Sequence, residues 1–162
     1  MLVVIREALA AEHAELGELC VRAYRNLGAV SDSYAAKLRD VADRARTARV
    51  LVAADGNGSA PLGCVTLILD GGPWGEVAAP DEGEFRMLAV DPAAQGRGAG
   101  EALVRACVDE SRRAGRARVV ISSASDMVAA HRLYERLGFA RVPARDWRPA
   151  PEVQLRVYEL AL

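Results

Sequence analysis

The residues whose types and spacing best support chemistry form the run QGRGAG at residues 95–100, between a predicted strand and a predicted helix. Glycine lets the backbone adopt positive φ and approach a ligand closely. The first turn of a helix offers unpaired N–H groups and a partial positive charge, which together bind phosphate. Arg97 can add a charge-assisted contact. The run therefore predicts either a site for a diphosphate-bearing ligand or a tight turn without a ligand.

Three phosphate-binding motifs can be compared with this run. A P-loop requires Lys and then Ser or Thr after its last glycine, whereas Glu101 follows Gly100 here. The dinucleotide fingerprint GxGxxG would place its third glycine at Glu101. The coenzyme A pattern, Gln or Arg followed by x-x-Gly-x-Gly or Ala, is satisfied by Gln95, Gly98 and Gly100. The run therefore favours coenzyme A.

A second informative segment is AHRLYERLGF at residues 130–139, a predicted helix that ends in Leu-Gly-Phe. Together with the glycine-rich run upstream, it resembles the two signature segments of the GNAT superfamily of N-acetyltransferases. Residues 84–114 resemble that family's cofactor-binding segment without a gap, and the predicted element order agrees over nearly the whole chain. One position departs, because many members carry Asn where this chain has Met127.

The resemblance implies an acetyltransferase that uses acetyl-CoA as cosubstrate and no metal. The acceptor amine would attack the thioester directly in a ternary complex; a non-catalytic acyl-CoA-binding sensor module of the same fold is the alternative. The pantetheine arm would lie like an extra strand beside the strand at residues 84–90. The residues that the resemblance assigns to cofactor binding are Leu88, Ala89, Val90, Gln95, Gly96, Arg97, Gly98, Ala99, Gly100 and Glu101.

Two residues are candidates for the proton transfers that acetyl transfer to an amine requires. Tyr134 is the candidate general acid for the departing thiolate, and a place in the apolar core is the alternative. Glu84 is the candidate general base, with pairing to Arg86 or proton removal through ordered water as alternatives. His131 is expected to be solvated, because it lies opposite the apolar stripe of its helix.

The resemblance also implies that the acceptor enters opposite the cofactor, near residues 24–34, 71–84 and 143–153. Trp74 and Trp147 are expected to wall its pocket, since aromatic residues in loops often bind ligands. Acidic residues in the middle segment favour a cationic amine, or form an ordinary solvated loop. They are Glu76, Asp81, Glu82 and Glu84. A small-molecule amine and a protein amine both remain open as acceptors.

Hydrophobic periodicity predicts the elements that must position these residues. Their order is strand, two helices, three strands, helix, strand, helix and two strands. This order predicts an α/β fold in which a mixed, mainly antiparallel central sheet carries helices on both faces. The turn DGNG at residues 55–58 is expected to join two antiparallel strands. The predicted strands are residues 2–6, 49–55, 61–70, 84–90, 117–122, 139–142 and 154–162; the predicted helices are residues 10–27, a helix containing Leu38, Val41 and Ala45, and residues 98–114 and 126–137.

The composition limits the class of protein. A chain of 162 residues with 51% hydrophobic residues suits one domain over residues 1–162. The net charge of −1 gives no basis for nucleic-acid binding. Three separated cysteines without a CxxC pair argue against a disulfide framework or a zinc site. The chain is therefore expected to be cytoplasmic, without a membrane partner, and a homodimer is left open.

Overall fold

The computed structural model describes residues 2–57 and 60–162, so Gly58 of the predicted turn lies outside the described residues. The strands are β1 (Val3–Glu7), β2 (Arg49–Asp55), β3 (Pro61–Ile68), β4 (Glu82–Val90), β5 (Arg118–Ala124), β6 (Ala140–Arg141), β7 (Trp147–Ala150) and β8 (Val153–Ala161). The helices are α1 (His13–Leu27), α2 (Asp32–Arg39), α3 (Val41–Thr47), α4 (Ala99–Arg113) and α5 (Val128–Arg136). Short 3₁₀ helices lie at Ala10–Glu12, Pro92–Ala94 and Pro143–Arg145.

All of these strands belong to one sheet. Its order is β1-β2-β3-β4-β5-β8-β6, and β7 pairs with β8. The pairing of β4 with β5 is parallel, and the other pairings are antiparallel. This arrangement confirms the predicted α/β fold with a mixed, mainly antiparallel sheet.

Helices cover both faces of the sheet, as predicted. α4 and α5 pack on one face through Leu103, Val104 and Tyr134. α1, α2 and α3 cover the other face, where Leu16 and Leu38 are completely buried. Apolar residues spaced three and four apart give each helix the single apolar face that this packing requires.

Two regions differ from the sequence prediction. The single second helix is divided at Asp40, whose ψ of 58° is not helical and whose carboxylate accepts a hydrogen bond from the Asp43 amide. Asp40 therefore ends α2 and caps α3. Strand β7 was not predicted, because Pro149 interrupts its pattern. Proline is tolerated there because β7 pairs only with β8 among the described strands.

A bulge in β4 determines which side chains face each core. Cys64 pairs with Ala89 while Thr66 pairs with Arg86, so β4 uses one residue more than β3. Met87 lies within the bulge with a φ of 56°. Phe85, before the bulge, faces the core under α4, whereas Met87 and Ala89 face the core under α1.

Candidate active site

The parallel strands β4 and β5 separate after a short pairing. They pair at Glu82–Arg118, Gly83–Val119 and Glu84–Val120, and among the described residues the pairing ends there. Beyond this point β4 continues beside β3 and β5 continues beside β8. The facing edges therefore present backbone N–H and C=O groups that an extended ligand with amide groups can pair with. Leu88, Ala89 and Val90 lie on this part of β4.

The glycine-rich run forms the entrance to α4. Gly96 and Gly98 have φ values of 81° and 82°. Residues with a side chain rarely adopt this left-handed backbone conformation. Gly98 is the N-terminal cap residue, and no described side chain caps the first turn of the helix. The N–H groups of Ala99 and Gly100 therefore remain available at the positive end of the helix dipole. Gln95 is exposed and Arg97 is half-buried beside them.

The structure brings the two predicted cofactor segments together. A Cβ atom added at Gly100 would lie 3.5 Å from Val90 Cγ2 and 3.8 Å from Leu133 Cδ2. The start of α4 thus lies against the end of β4 and against α5. Glu101 lies in the first turn of α4, within 3.7 Å of both Arg105 and Arg136.

Tyr134 lies in an aromatic cluster beneath the separated strands. Its ring centroid is 5.8 Å from those of Phe85 and Tyr158 and 5.9 Å from that of Phe139. Burial raises the pKa of the Tyr134 hydroxyl well above its usual value, so the hydroxyl stays protonated at neutral pH. Core packing and hydrogen-bond donation are therefore compatible roles for Tyr134.

Glu84 lies on the opposite face of β4 and is fully buried. Its Oε1 atom accepts hydrogen bonds from the backbone amides of Glu76 at 3.0 Å and of Val77 and Ala78 at 3.3 Å. Burial raises the pKa of Glu84, and the three amides partly oppose this rise. Glu84 thereby fastens the loop before β4 to the sheet.

The alternative in which Glu84 pairs with Arg86 is not what the structure shows, because Arg86 has other partners. Arg86 Nη2 lies 3.4 Å from Glu76 Oε2, and its Nη1 donates to the Trp74 carbonyl at 2.9 Å. The pairing differs because the loop before β4 folds back across the strand, which the local sequence does not reveal.

The predicted acidic segment is largely compensated within the protein. Glu82 is buried and accepts a hydrogen bond at 2.8 Å from Arg145, while Arg118 lies 3.5 Å away. Glu76 pairs with Arg86, and Glu84 accepts three amide hydrogen bonds. The segment therefore provides less free negative charge than its composition suggests.

Several polar and aromatic groups that sequence reasoning did not single out lie on the same side of the sheet as Glu84. The rings of Tyr24 and Tyr34 are 5.9 Å apart. Burial chiefly raises the pKa of Tyr24, and the nearby phenols of Tyr34 and Tyr134 add to the rise. Ser122 on β5 donates a hydrogen bond to Glu76 at 3.4 Å. The sequence indicated this region only through the expected acceptor segment 24–34.

The two tryptophans occupy different settings. Trp74 lies near the guanidinium groups of Arg44 and Arg86, at 5.6 and 5.9 Å, and its indole N–H donates to Asp43 at 2.9 Å. Trp74 thus anchors the loop before β4 to α3. Trp147 on β7 has a buried indole nitrogen without a hydrogen-bond partner among the described residues. Their role as walls of an acceptor pocket stays a prediction.

The expectation that His131 is solvated is wrong. His131 is buried, its Nε2 lies 3.2 Å from Ser123 Oγ, and its ring lies 5.2 Å from that of Tyr158. Burial and then the positive charge of Arg156 lower its pKa, so the ring is neutral at neutral pH. Periodicity failed here because α5 contacts both β5 and β8, so more than one helix face is covered.

Within residues 2–57 and 60–162, no group of three or more His, Cys, Asp or Glu side chains is arranged to hold a metal ion. Within the same ranges, every helix is too short or too polar to span a lipid bilayer.

Sequence comparison relates this chain to known proteins. The model of the acetyltransferase (GNAT) family matches residues 13–139. Mycothiol acetyltransferase from Rhodococcus erythropolis is 41% identical over 73 residues, which are 42% of this chain and 24% of that protein. The enzyme of that name from Mycobacteroides abscessus is 46% identical over 61 residues, or 38% of this chain and 21% of that protein. The match thus spans less than a quarter of the length of these relatives.

Structural comparison gives matches over the whole chain. The protein yncA from Salmonella typhimurium, solved with its cofactor acetyl-CoA, has a TM-score of 0.70 and 27% identity, covering 100% of this chain and 95% of that one. A GNAT-family structure from Desulfovibrio desulfuricans has a TM-score of 0.76 and 18% identity, with 99% of each chain covered. The second likeness supports the fold alone.

Proposed function

Since the chain belongs to the GNAT family of acetyltransferases, we propose that it transfers an acetyl group from acetyl-CoA to a primary amine. The observation that carries this proposal is the separation of β4 from β5 beside the uncapped first turn of α4. The separated edges of β4 and β5 suit an extended arm with amide groups, and the uncapped first turn of α4 suits a diphosphate. The two features are adjacent, because Gly100 lies against Val90.

Backbone groups of Leu88, Ala89 and Val90 are proposed to bind the pantetheine arm and the acetyl carbonyl of acetyl-CoA. The amides of residues 96–100 are proposed to bind the diphosphate, with Arg97 and Gln95 beside them. The arm then runs along β4 toward Tyr134 and the acceptor face.

Tyr134 is proposed to donate a hydrogen bond to the sulfur as the carbon–sulfur bond breaks. Its raised pKa keeps the proton on the phenol, so stabilisation of the developing thiolate by hydrogen bonding suits it better than full proton transfer.

Glu84 is proposed to accept the proton of the acceptor ammonium, either directly or through an ordered water molecule. Its raised pKa makes it a stronger base than an ordinary carboxylate. The amine would attack the thioester in the ternary complex, without an acyl-enzyme. The acceptor of the mycothiol acetyltransferases is not assigned to this chain, because the match covers only part of those proteins.

Thiol release from acetyl-CoA across a panel of amines tests this function. We expect amine-dependent release together with a cofactor-induced rise in melting temperature. A rise in melting temperature without turnover for any amine would favour the alternative, a non-catalytic acyl-CoA sensor. The absence of any rise at millimolar acetyl-CoA would contradict both functions.

A further inference from the structure

Two cysteines from distant parts of the chain meet in the core under α1. Cys20 on α1 and Cys64 on β3 have their Sγ atoms 3.4 Å apart, and both side chains are buried. Both are free thiols, and the reaction proposed above uses neither. Cys107, the third cysteine of the chain, is buried in the core under α4 on the opposite face of the sheet.

A buried arginine lies beside this pair. Arg44 is fully buried, and its Nη2 is 3.9 Å from Cys20 Sγ. Its other hydrogen bonds reach uncharged oxygens, namely Thr66 Oγ1 at 3.0 Å and the carbonyls of Lys37 and Leu38 at 2.6 and 3.2 Å. Within the described part of the chain, no carboxylate forms an ion pair with it. A guanidinium in this setting favours negative charge on the nearest ionisable group, the Cys20 thiol.

The two thiols are consequently unequal. A hydrogen bond from Cys64 and the charge of Arg44 lower the pKa of Cys20. The same contact with Cys20, together with burial, raises the pKa of Cys64. One sulfur is thus favoured as a thiolate while its neighbour remains a thiol, which is the arrangement of an attacking and a resolving cysteine.

We propose that Cys20 and Cys64 are a modification site at which hydrogen peroxide forms an internal disulfide. The Cys20 thiolate attacks one peroxide oxygen, the O–O bond breaks, and hydroxide leaves and takes up a proton to become water. The Cys64 sulfur then attacks the resulting sulfenic sulfur, and the hydroxyl group leaves as water with the Cys64 proton. Two thiols lose two electrons in total, and one peroxide becomes two water molecules.

The geometry requires only a modest movement. The sulfur atoms must approach from 3.4 Å to about 2.05 Å. Peroxide is little larger than water, so a brief local opening of α1 is enough to admit it. The disulfide would tie α1 to the strand position opposite Ala89, since Cys64 is the cross-strand partner of that residue. This inference does not depend on the proposed function, because its test needs neither acetyl-CoA nor an acceptor.

The experiment counts thiols in the full chain. Reduced protein is treated with graded hydrogen peroxide, quenched, unfolded in N-ethylmaleimide and weighed by intact mass spectrometry. We expect the free thiols to fall from three to one, with a non-reducing peptide map that joins the Cys20 and Cys64 peptides. Dithiothreitol should restore all the thiols. The matched control Cys107→Ser retains only the Cys20 and Cys64 thiols, and peroxide should oxidise both to the same disulfide.

Single variants distinguish the attacking cysteine, Cys20, from the resolving cysteine, Cys64. Cys64→Ala should stop at a sulfenic acid on Cys20 that dimedone captures, and Cys20→Ala should leave Cys64 unoxidised. Persistence of every thiol, overoxidation of Cys20 without loss of Cys64, or a disulfide to Cys107 or to a second chain would overturn the proposal. If either variant fails to fold, the wild-type peptide map alone decides, because it identifies the linked residues directly.

Discussion

Tyr134 combines a packed aromatic ring with a hydroxyl whose raised pKa keeps it protonated at neutral pH. Tyr134→Phe keeps the ring and removes only the oxygen. We expect turnover to fall by roughly 10–1000-fold, while acetyl-CoA affinity and the free energy of unfolding change little. Single-turnover kinetics with calorimetric binding will measure this. Tyr158→Phe is the matched control, since Tyr158 belongs to the same cluster. Equal single-turnover rates in Tyr134→Phe and the wild type would restrict Tyr134 to packing.

Glu84 permits a prediction with a defined pH dependence. Because burial raises its pKa, a base at this position should place the acidic limb of the rate profile above the usual glutamate range. Glu84→Gln should then remove that limb or shift it. The measurement is maximal rate against pH, with Glu76→Gln as control for the same loop. An acidic limb that survives in Glu84→Gln would end the general-base assignment. A higher KM at constant rate would make Glu84 an acceptor-binding residue.

The stability of the same variant should also depend on pH. A group with a raised folded-state pKa contributes stability below its unfolded pKa, and this contribution is lost as the pH rises through the folded pKa. The difference in unfolding free energy between the wild type and Glu84→Gln should therefore be largest in acid and narrow toward neutral pH. Denaturant unfolding at several pH values will measure it. A difference that widens toward neutral pH would show that the amide hydrogen bonds dominate instead.

Among individual residues, the sequence predicts best those positions at which the chemistry permits few residue types. The glycines at 96 and 98 adopt the left-handed conformation that the motif implied. The partners of Glu84 could not be predicted, because they are backbone amides brought in by the path of a loop. The burial of His131 was missed because it depends on which strands α5 contacts.

The entrance to α4 supports a prediction about a whole element. Gly100 has ordinary backbone angles, and a Cβ there would make only normal contacts, so Gly100→Ala should fold as the wild type does. A larger side chain at this position projects toward Val90 and the first helical turn. We expect Gly100→Val to lose the acetyl-CoA thermal shift. Gly28→Val, where a Cβ would meet nothing within 4 Å, is the control. Undiminished binding by Gly100→Val would remove this turn from the site.

The elements at the C-terminal side of the sheet give a second prediction. The Asp146 carboxylate accepts hydrogen bonds from Arg141 Nη1 of β6 at 2.7 Å and from the Val157 backbone amide of β8 at 2.9 Å. The Arg141 hydrogen bond, and then the Val157 amide, lower the pKa of Asp146. Its stabilising contribution is therefore present above the unfolded pKa and lost as pH falls through the folded pKa. Asp146→Asn should lower the free energy of unfolding by about 1 kcal/mol at neutral pH, after allowance for solvent screening.

That loss should shrink as the solution is acidified, because protonation removes the same charge from the wild type. Chemical denaturation between neutral and strongly acidic pH will measure both proteins. Asp126→Asn is the control, because Asp126 forms no ion pair with the described residues. A constant difference across this range would assign the effect to the neutral hydrogen bond alone.

At the element scale, helix and strand positions followed from periodicity, whereas irregular features did not. The bulge at Met87 arises from pairing with β3 and leaves no local pattern in the chain. The break at Asp40 is caused by a capping hydrogen bond inside an otherwise continuous apolar stripe. These features could be recognised only from the three-dimensional pairing, yet the bulge directs the side chains around the site.

At the scale of the whole molecule, the sheet consists of two parts. Strands β1 to β4 form one part and β5 to β8 form the other, and the short pairing at Glu82 to Glu84 joins them. Acetyl-CoA placed between β4 and β5 would supply hydrogen bonds to both parts. The cofactor would then act as a structural bridge as well as a substrate, and its effect should extend beyond the residues it touches.

Hydrogen exchange should reveal this bridge. Amides of residues 85–90 and 121–124 lie in the separated parts of β4 and β5, and we expect acetyl-CoA to slow their exchange most. At a hundredfold excess over the dissociation constant, the free energy of unfolding should rise by ~2.7 kcal/mol. Amides of β2 that pair with β1 serve as an internal reference. They lie away from the gap, so their exchange should slow only through the overall rise in the free energy of unfolding. Equal slowing of exchange in the gap amides and in the β2 reference amides would indicate binding elsewhere, because a ligand outside the gap would not selectively protect the facing edges of β4 and β5.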